Sequence, residues 1–318
     1  MPQVSRTHLV IIPSYNPGSR VLDTVRSARA QWAPVWVVVD GSSDGSTARL
    51  QALAAEDSEL RIIVLPENRG KGSAVLEGIS LAEAAGFTHA LTMDSDGQHP
   101  AQLIPAFMAA SQAEPGAMVL GKPVFDADAP ALRVNGRKVS NGWANLETLW
   151  MGIGDSLYGF RVYPIAPLRR IMLRNRFMRR FDFDPEAVVR LCWAGVKPVN
   201  IDAPVRYFRA DEGGVSHFRY LRDNTLLTWM HTRLFLGFVL RLPILLRPLL
   251  TAAAIGVAVS VAQYLPTLFM GAGRIATLTT EAVTLSSGSD RRVTGVYASL
   301  QAALPFAAYV AAVALSLP

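Results

Sequence analysis

Residues 35–46, VWVVVDGSSDGS, hold an unbroken apolar run that ends on Asp40 and passes at once into a loop of glycines and hydroxyls. Such a run reads as a buried strand, and Asp44 or Ser46 after it as the N-cap of a helix. The same syntax recurs on either side, as HLVIIP at 8–13, RIIVLP at 61–66, HALTMD at 89–94 and AMVLG at 117–121. Between these runs, 19–31, 46–56, 71–85 and 101–112 return apolar residues at helical spacing. The alternation predicts an α/β domain with a mainly parallel sheet flanked by helices on both faces. Ligands of such sheets bind beyond the carboxyl ends of the strands, so the loops after Pro13, Val39, Pro66 and Met93 are where chemistry is expected.

Working outward, 139–151 is helix-like, 157–164 strand-like, 185–195 helix-like and 199–208 strand-like, which extends the same domain. The composition then changes. No Asp, Glu, Lys or Arg occurs from Pro248 to Gly273 or from Val293 to Pro318, two stretches of 26 residues each. A span needs about 20, so two transmembrane helices are expected, with buried helices of a soluble protein as the alternative. Arg233, Arg241 and Arg247 stand among Leu, Phe and Val in 231–247, the pattern of an amphipathic interfacial segment. The expected division is a catalytic domain over 1–222, an interfacial linker over 223–247 and a membrane region over 248–318. The first apolar run is cut short by Pro13, unlike a signal peptide, so the catalytic domain is expected on the cytosolic side of the inner, cytoplasmic membrane.

Across 318 residues, 31 Lys and Arg against 25 Asp and Glu leave a net charge of +6. A basic balance suits an anionic partner without choosing one. The basic residues are dispersed and form no recognition motif, so nucleic acid is not expected. A chain that is 50% hydrophobic and only 18% charged is not a disordered one. The single cysteine, Cys192, lies in the apolar stretch LCWAG and reads as a packing residue.

Four polar loops carry the candidate chemistry. In IIPSYNPGSR, Pro13 ends a strand and Tyr15 offers a flat ring that can stack on a base or simply form a turn. Asp40 stands where an acid can accept from ribose hydroxyls or a base N–H. In ENRGKGSA (67–74), Asn68, Arg69, Gly70, Lys71 and Gly72 have the composition of a phosphate cradle but lack the GK[ST] ending of a P-loop. In TMDSDGQHP (92–100), Asp94 and Asp96 at i, i+2 on an extended strand end point to one side and can share a divalent cation that also grips a diphosphate. Gln98 adds a further oxygen, and His99 is an ambiguous extra. Oxygen ligands favour Mg²⁺ or Mn²⁺ over Zn²⁺.

In order, PSYN, VVVDGSSDGS, NRGKGSA, MDSDGQHP, DSLYGFR (155–161), FDFDPE (181–186) and GVSHF (214–218) resemble the family 2 glycosyltransferases of the GT-A fold. The pattern is most similar to dolichyl- or polyprenyl-phosphate mannosyl- or glucosyltransferases, over roughly residues 8–218. The resemblance implies that Pro13, Tyr15 and Asp40 hold the nucleoside, that Lys71 lies near it, and that Asp94, Asp96 and Gln98 hold metal and diphosphate. It also implies contacts to donor or acceptor phosphates from Arg137 and from Arg206 or Arg209, and a base among Asp182, Asp184 and Glu186. These three acids equally suit the solvated N-terminus of a helix. The chain departs from the pattern at Pro17, at Gly121-Lys122-Pro123 and around Ser216-His217, which leaves room for a different acceptor.

The expected activity is metal-dependent, inverting transfer of a sugar from a UDP- or GDP-sugar to a lipid-linked acceptor, a polyprenyl phosphate or another membrane-bound precursor. The alternatives are a sugar-phosphate nucleotidyltransferase and a non-catalytic nucleotide-binding membrane scaffold.

Overall fold

The computed structural model describes residues 2, 4–125, 131–205, 220–271, 295, 296, 298–300 and 303. They fall into two units, Met1–Phe238 and Val239–Pro318.

The first unit is built on a seven-stranded sheet of order β3-β2-β1-β4-β6-β5-β7. Its strands are β1 (His8–Ser14), β2 (Val35–Asp40), β3 (Leu60–Leu65), β4 (His89–Thr92), β5 (Met118–Phe125), β6 (Arg161–Pro164) and β7 (Pro198–Val205). β3, β2, β1 and β4 run parallel in the order a right-handed β-α repeat produces. β6 is antiparallel to both of its neighbours, β4 and β5, while β7 returns parallel to β5. The sheet is therefore mixed but mostly parallel.

Side chains alternate across it. Leu9, Ile11, Trp36 and Val38 face α3 (Lys71–Ala84), α6 (Ile165–Arg174) and α7 (Phe183–Trp193). Val10, Ile12, Val37 and Val39 face α1 (Arg20–Gln31), α2 (Ser46–Ala55) and α4 (Ile104–Ala113). That two-sided burial is why the strands read as continuous apolar runs. Cys192 is buried in the first of these cores, and burial pushes its thiol up to about 12.

Several boundaries differ from the sequence reading. The helix expected over 101–112 begins as a 3-10 turn at Ala101–Leu103 before α4. The helix-like 139–151 belongs to α5 (Ala131–Glu147), which starts earlier and ends earlier. The strand-like 157–164 is extended in the sheet only from Arg161. Helix α6 was not expected at all. Its Ile165, Leu168 and Met172 are buried at helical spacing, and Pro167 sits in the first turn, where a missing N–H costs nothing.

Helix α8 (Tyr220–Gly271) runs for 52 residues and does not break at Pro243. Its first turns dock on the sheet domain. His231 hydrogen-bonds Glu147 of α5 at 3.0 Å and Ser140 at 3.0 Å, and Arg233 donates to Glu186 of α7 at 3.2 Å. Among the described residues one helical stretch, Asp223–Ala253, is long and apolar enough to cross a membrane. That stretch begins earlier than the expected first span, and the second expected span falls almost wholly outside the described residues.

Candidate active site

The parallel strands β1, β2, β3 and β4 release their loops on one edge of the sheet, and hydrogen bonds tie these loops together. Asn16 donates its backbone N–H to Ser42 Oγ at 3.0 Å and accepts from the Ser43 N–H at 2.8 Å. Asp44 accepts from the Gly18 N–H at 2.9 Å and, with its other oxygen, from the N–H and hydroxyl of Ser46. Those hydrogen bonds outweigh burial and hold its carboxyl below the usual range. Tyr15, at the rim, is exposed, while Pro13 is buried inside β1.

Asp40 is buried at the end of β2 and accepts the backbone N–H groups of Arg69 at 2.9 Å and Gly70 at 2.7 Å. Its carboxylate thus shapes the 67–72 loop from below. Gly41 makes this approach possible: it sits at φ +64°, and a Cβ there would meet Asn68 N at 2.5 Å.

The same loop delivers Lys71 to the centre of the site. Its Nζ lies 2.6 Å from Asp94 of the loop after β4 and 2.7 Å from Asp184 of α7. Burial opposes the charge, but Asp184 and Asp94 outweigh it and raise the lysine above its ordinary value. Asp94 is lowered: burial works against the carboxylate, and Lys71 beside it wins. Gly159 gives this group its room, since a Cβ there would meet Lys71 Nζ at 2.7 Å and Asp94 Oδ2 at 2.8 Å.

Asp96 accepts the Gln98 N–H at 3.0 Å, and burial, reinforced by the charge of Asp94, pushes it up to about 6. His99 Nδ1 accepts the Asp94 N–H at 3.0 Å, and its ring sits edge-on to Tyr158 at 4.7 Å. Burial lowers it to about 4, so it packs as a neutral ring that fixes the turn.

Of the three acids at 182–186, only Asp184 joins Lys71. Its Oδ1 is buried and has no hydrogen-bond partner among the described residues. Asp182 accepts the Arg180 N–H at 3.1 Å, and Glu186, fully buried, is held by Arg190 at 2.7 Å and Arg233 at 3.2 Å. Arg137 is bound to Asp155 at 2.7 Å, an acid that also accepts the N–H groups of Leu157 and Tyr158. Arg206 and Arg209 lie outside the described residues.

The sequence reading assigned no role to Arg161. It is fully buried, and its guanidinium donates to the Asp184 carbonyl at 2.6 Å, to Tyr163 Oη at 3.0 Å and to the Asp155 carbonyl at 3.2 Å. It therefore fixes the start of α7 under Lys71. The available signal was an arginine inside the apolar run LYGFRVYP.

Among the described residues no three His, Cys, Asp or Glu side chains gather as a metal site. The donor set expected from the sequence is two carboxylates and the oxygen of Gln98, of which the structure joins Gln98 to Asp96 through its backbone N–H. That set fits Mg²⁺ or Mn²⁺, which bind through one or two carboxylates and complete their shell with substrate phosphates and water.

The model of the glycosyl transferase family 2 matches residues 9–177, more than half of the chain. A dolichol-phosphate mannosyltransferase of Mycosarcoma maydis is 34% identical over 129 residues, 39% of this chain and 42% of that one. An undecaprenyl-phosphate mannosyltransferase of Micrococcus luteus is 26% identical over 220 residues, 64% of this chain and 85% of that one. A shorter segment, 79 residues or 25% of the chain, is 49% identical to 15% of an inner membrane ABC transporter permease protein of Escherichia coli. The chain thus spans less than half the length of the first and third of these relatives.

Proposed function

The chain belongs to glycosyl transferase family 2, and on that premise we propose that it moves one sugar from a nucleoside diphosphate donor to a lipid-linked acceptor. The acceptor is a polyprenyl phosphate or another membrane-borne precursor, and transfer inverts the anomeric centre. The observation that carries the reading is the clasp of Lys71 between Asp94 and Asp184, two residues from Asp96 on the ligand-binding edge of the sheet. The names of the polyprenyl-phosphate relatives support the acceptor, and the long apolar stretch of α8 supports a membrane location. The reaction belongs to the cytosolic membrane face, where soluble nucleotide sugars have access.

Each residue has a definable task. Lys71 presents a permanent positive charge at the donor diphosphate, so its contribution is electrostatic rather than proton transfer. Asp94, Asp96 and Gln98 would hold a divalent cation beside it, which when bound neutralises charge building on the departing diphosphate. Asp40 organises the backbone N–H groups of Arg69 and Gly70, and the exposed ring of Tyr15 supplies a stacking surface for the base. A phosphate acceptor is already ionised and needs no base; Asp184 then serves to hold Lys71. A hydroxyl acceptor would need a base, and Asp184 is the acid of the 182–186 cluster that meets Lys71.

Calorimetric titration of the full-length protein with UDP and GDP, with and without Mg²⁺ or Mn²⁺, tests the donor site. One nucleotide is expected to bind in a metal-dependent way, at least about 10-fold more weakly in Asp94→Asn. Equal binding without metal contradicts the cation assignment, and no binding of either nucleotide contradicts the donor site.

A further inference from the structure

The segment made of the last residues of α6 and the connection to α7 plays no part in the chemistry described above, yet its composition is unusual for an exposed surface. Over residues 173–181, LRNRFMRRF, it exposes Leu173 at 53%, Phe177 at 57% and Phe181 at 44%. Arg174, Arg176 and Arg180 alternate with them, are exposed, and make no ion pair among the described residues. The turn is well formed: the Arg179 N–H donates to the Phe177 carbonyl at 2.7 Å, and the Arg179 guanidinium to the Met172 carbonyl at 3.1 Å. An ordered segment that spends three apolar and three unpaired cationic side chains on solvent is built to be covered.

Two contacts place it. The Arg233 guanidinium of α8 lies 3.9 Å from the centre of the Phe177 ring. Leu226, Trp229, Arg233 and Leu236 follow one another at helical spacing, and Trp229 and Leu236 are 55% and 57% exposed. The opposite face of the same turns, with Met230 and Leu234, is buried against the sheet domain. Arg233, itself mostly buried and paired with Glu186, thus joins the 173–181 segment to the face of α8 that exposes Leu226, Trp229 and Leu236. On its other side the turn meets the site: the Arg179 carbonyl accepts the Ser73 N–H at 3.1 Å, two residues from Lys71.

We propose that residues 173–181 and the outward stripe of α8 form a docking surface for an anionic bilayer, with Arg174, Arg176 and Arg180 on lipid phosphates and the aromatic and leucine side chains at the interface. Charge chooses the occupant. Three unpaired arginines interleaved with apolar side chains match the surface of an acidic membrane, in which headgroup phosphates overlie hydrocarbon. Docking there sets the loop of Lys71 at headgroup height. The proposal uses the membrane location argued above but not the sugar transfer, and the two fail separately.

Hydrogen–deuterium exchange of the full-length protein tests it, in nanodiscs of phosphatidylcholine alone and of phosphatidylcholine with phosphatidylglycerol. Exchange over 173–182 is expected to slow about 10-fold or more in the anionic discs. The triple variant Arg174→Gln, Arg176→Gln, Arg180→Gln should lose that difference while α7 keeps its protection, and millimolar inorganic phosphate should not reproduce it. Equal exchange in both discs, or protection in both that the triple variant retains, would overturn the proposal. Neither result bears on nucleotide binding, which reports on the donor site.

Discussion

In the proposed reaction the chemistry turns on Lys71 and its two carboxylates, and substitution separates their roles. Lys71→Met removes a fixed charge from the diphosphate site, and Asp94→Asn a charged oxygen; each is expected to lower turnover by about 10²-fold or more, with circular dichroism unchanged. Glu186→Gln should behave in the opposite way. Its carboxylate is buried and bound by two arginines, so breaking those pairs is expected to cost about 3–5 kcal/mol, read as a lower melting temperature with little change in turnover per folded molecule. Asp184→Asn discriminates between acceptors: a steep loss of turnover with a lost acid limb in the pH profile identifies a hydroxyl, and a modest, pH-independent loss identifies a phosphate. The polar loops were legible because each follows an apolar run. What the sequence left open was which of Asp182, Asp184 and Glu186 meets Lys71, since 113 residues separate Lys71 from Asp184 and only the packing of α7 decides the choice. Gly159 was equally hidden, its purpose being the space that Lys71 and Asp94 occupy.

The elements were readable where one rule applied throughout. β1 to β4 and α1 to α3 are found within a few residues of the sequence expectation, because β1, β2 and β4 are buried on both faces, β3 is apolar though partly exposed at the edge, and each helix begins at a polar loop. Beyond β5 the sheet turns mixed. An antiparallel β6 between β4 and β5 cannot be told from a parallel one by its apolar run, and α6 is obscured by Pro164, Pro167 and its arginines. A stability test belongs at the opposite edge of the sheet. There His8 of β1 and His89 of β4 stack at 4.5 Å, and His8 Nε2 lies 3.2 Å from Ser111 Oγ of α4. Burial, then the neighbouring His89, lowers His8 from 6.5 to about 4. The folded state holds this ring neutral while the unfolded chain protonates it, so stability present above pH 6.5 is lost as the pH falls towards 4. The loss reaches about 3 kcal/mol, and His8→Gln should flatten this part of the dependence in thermal melts at about pH 7 and about pH 5.

At the scale of the whole molecule, one chain carries the proposed donor site and a helix of membrane-spanning length. The apolar tail was the plainest feature of the sequence, because 26 residues without a charge need no structural context. Its placement was less plain: the helix that carries the apolar stretch starts well before the uncharged run and passes through Pro243 without a break, because hydropathy reports where the chain is apolar and not where a helix starts. Full-length protein is therefore expected to stay with the membrane fraction in high salt and in alkaline carbonate and to leave it only with detergent. Release by carbonate alone would make α8 a surface helix. The central claim, transfer of a sugar to a lipid-linked acceptor at the Asp94–Lys71–Asp184 site, is tested most directly by incubating membranes that carry the protein with radiolabelled nucleotide sugars and extracting the lipids. The account predicts label in the organic phase with wild-type protein, abolished by EDTA and absent with Asp94→Asn. Label that stays wholly in the aqueous phase for every UDP- and GDP-sugar, or an organic-phase product that Asp94→Asn forms at the wild-type rate, would contradict it.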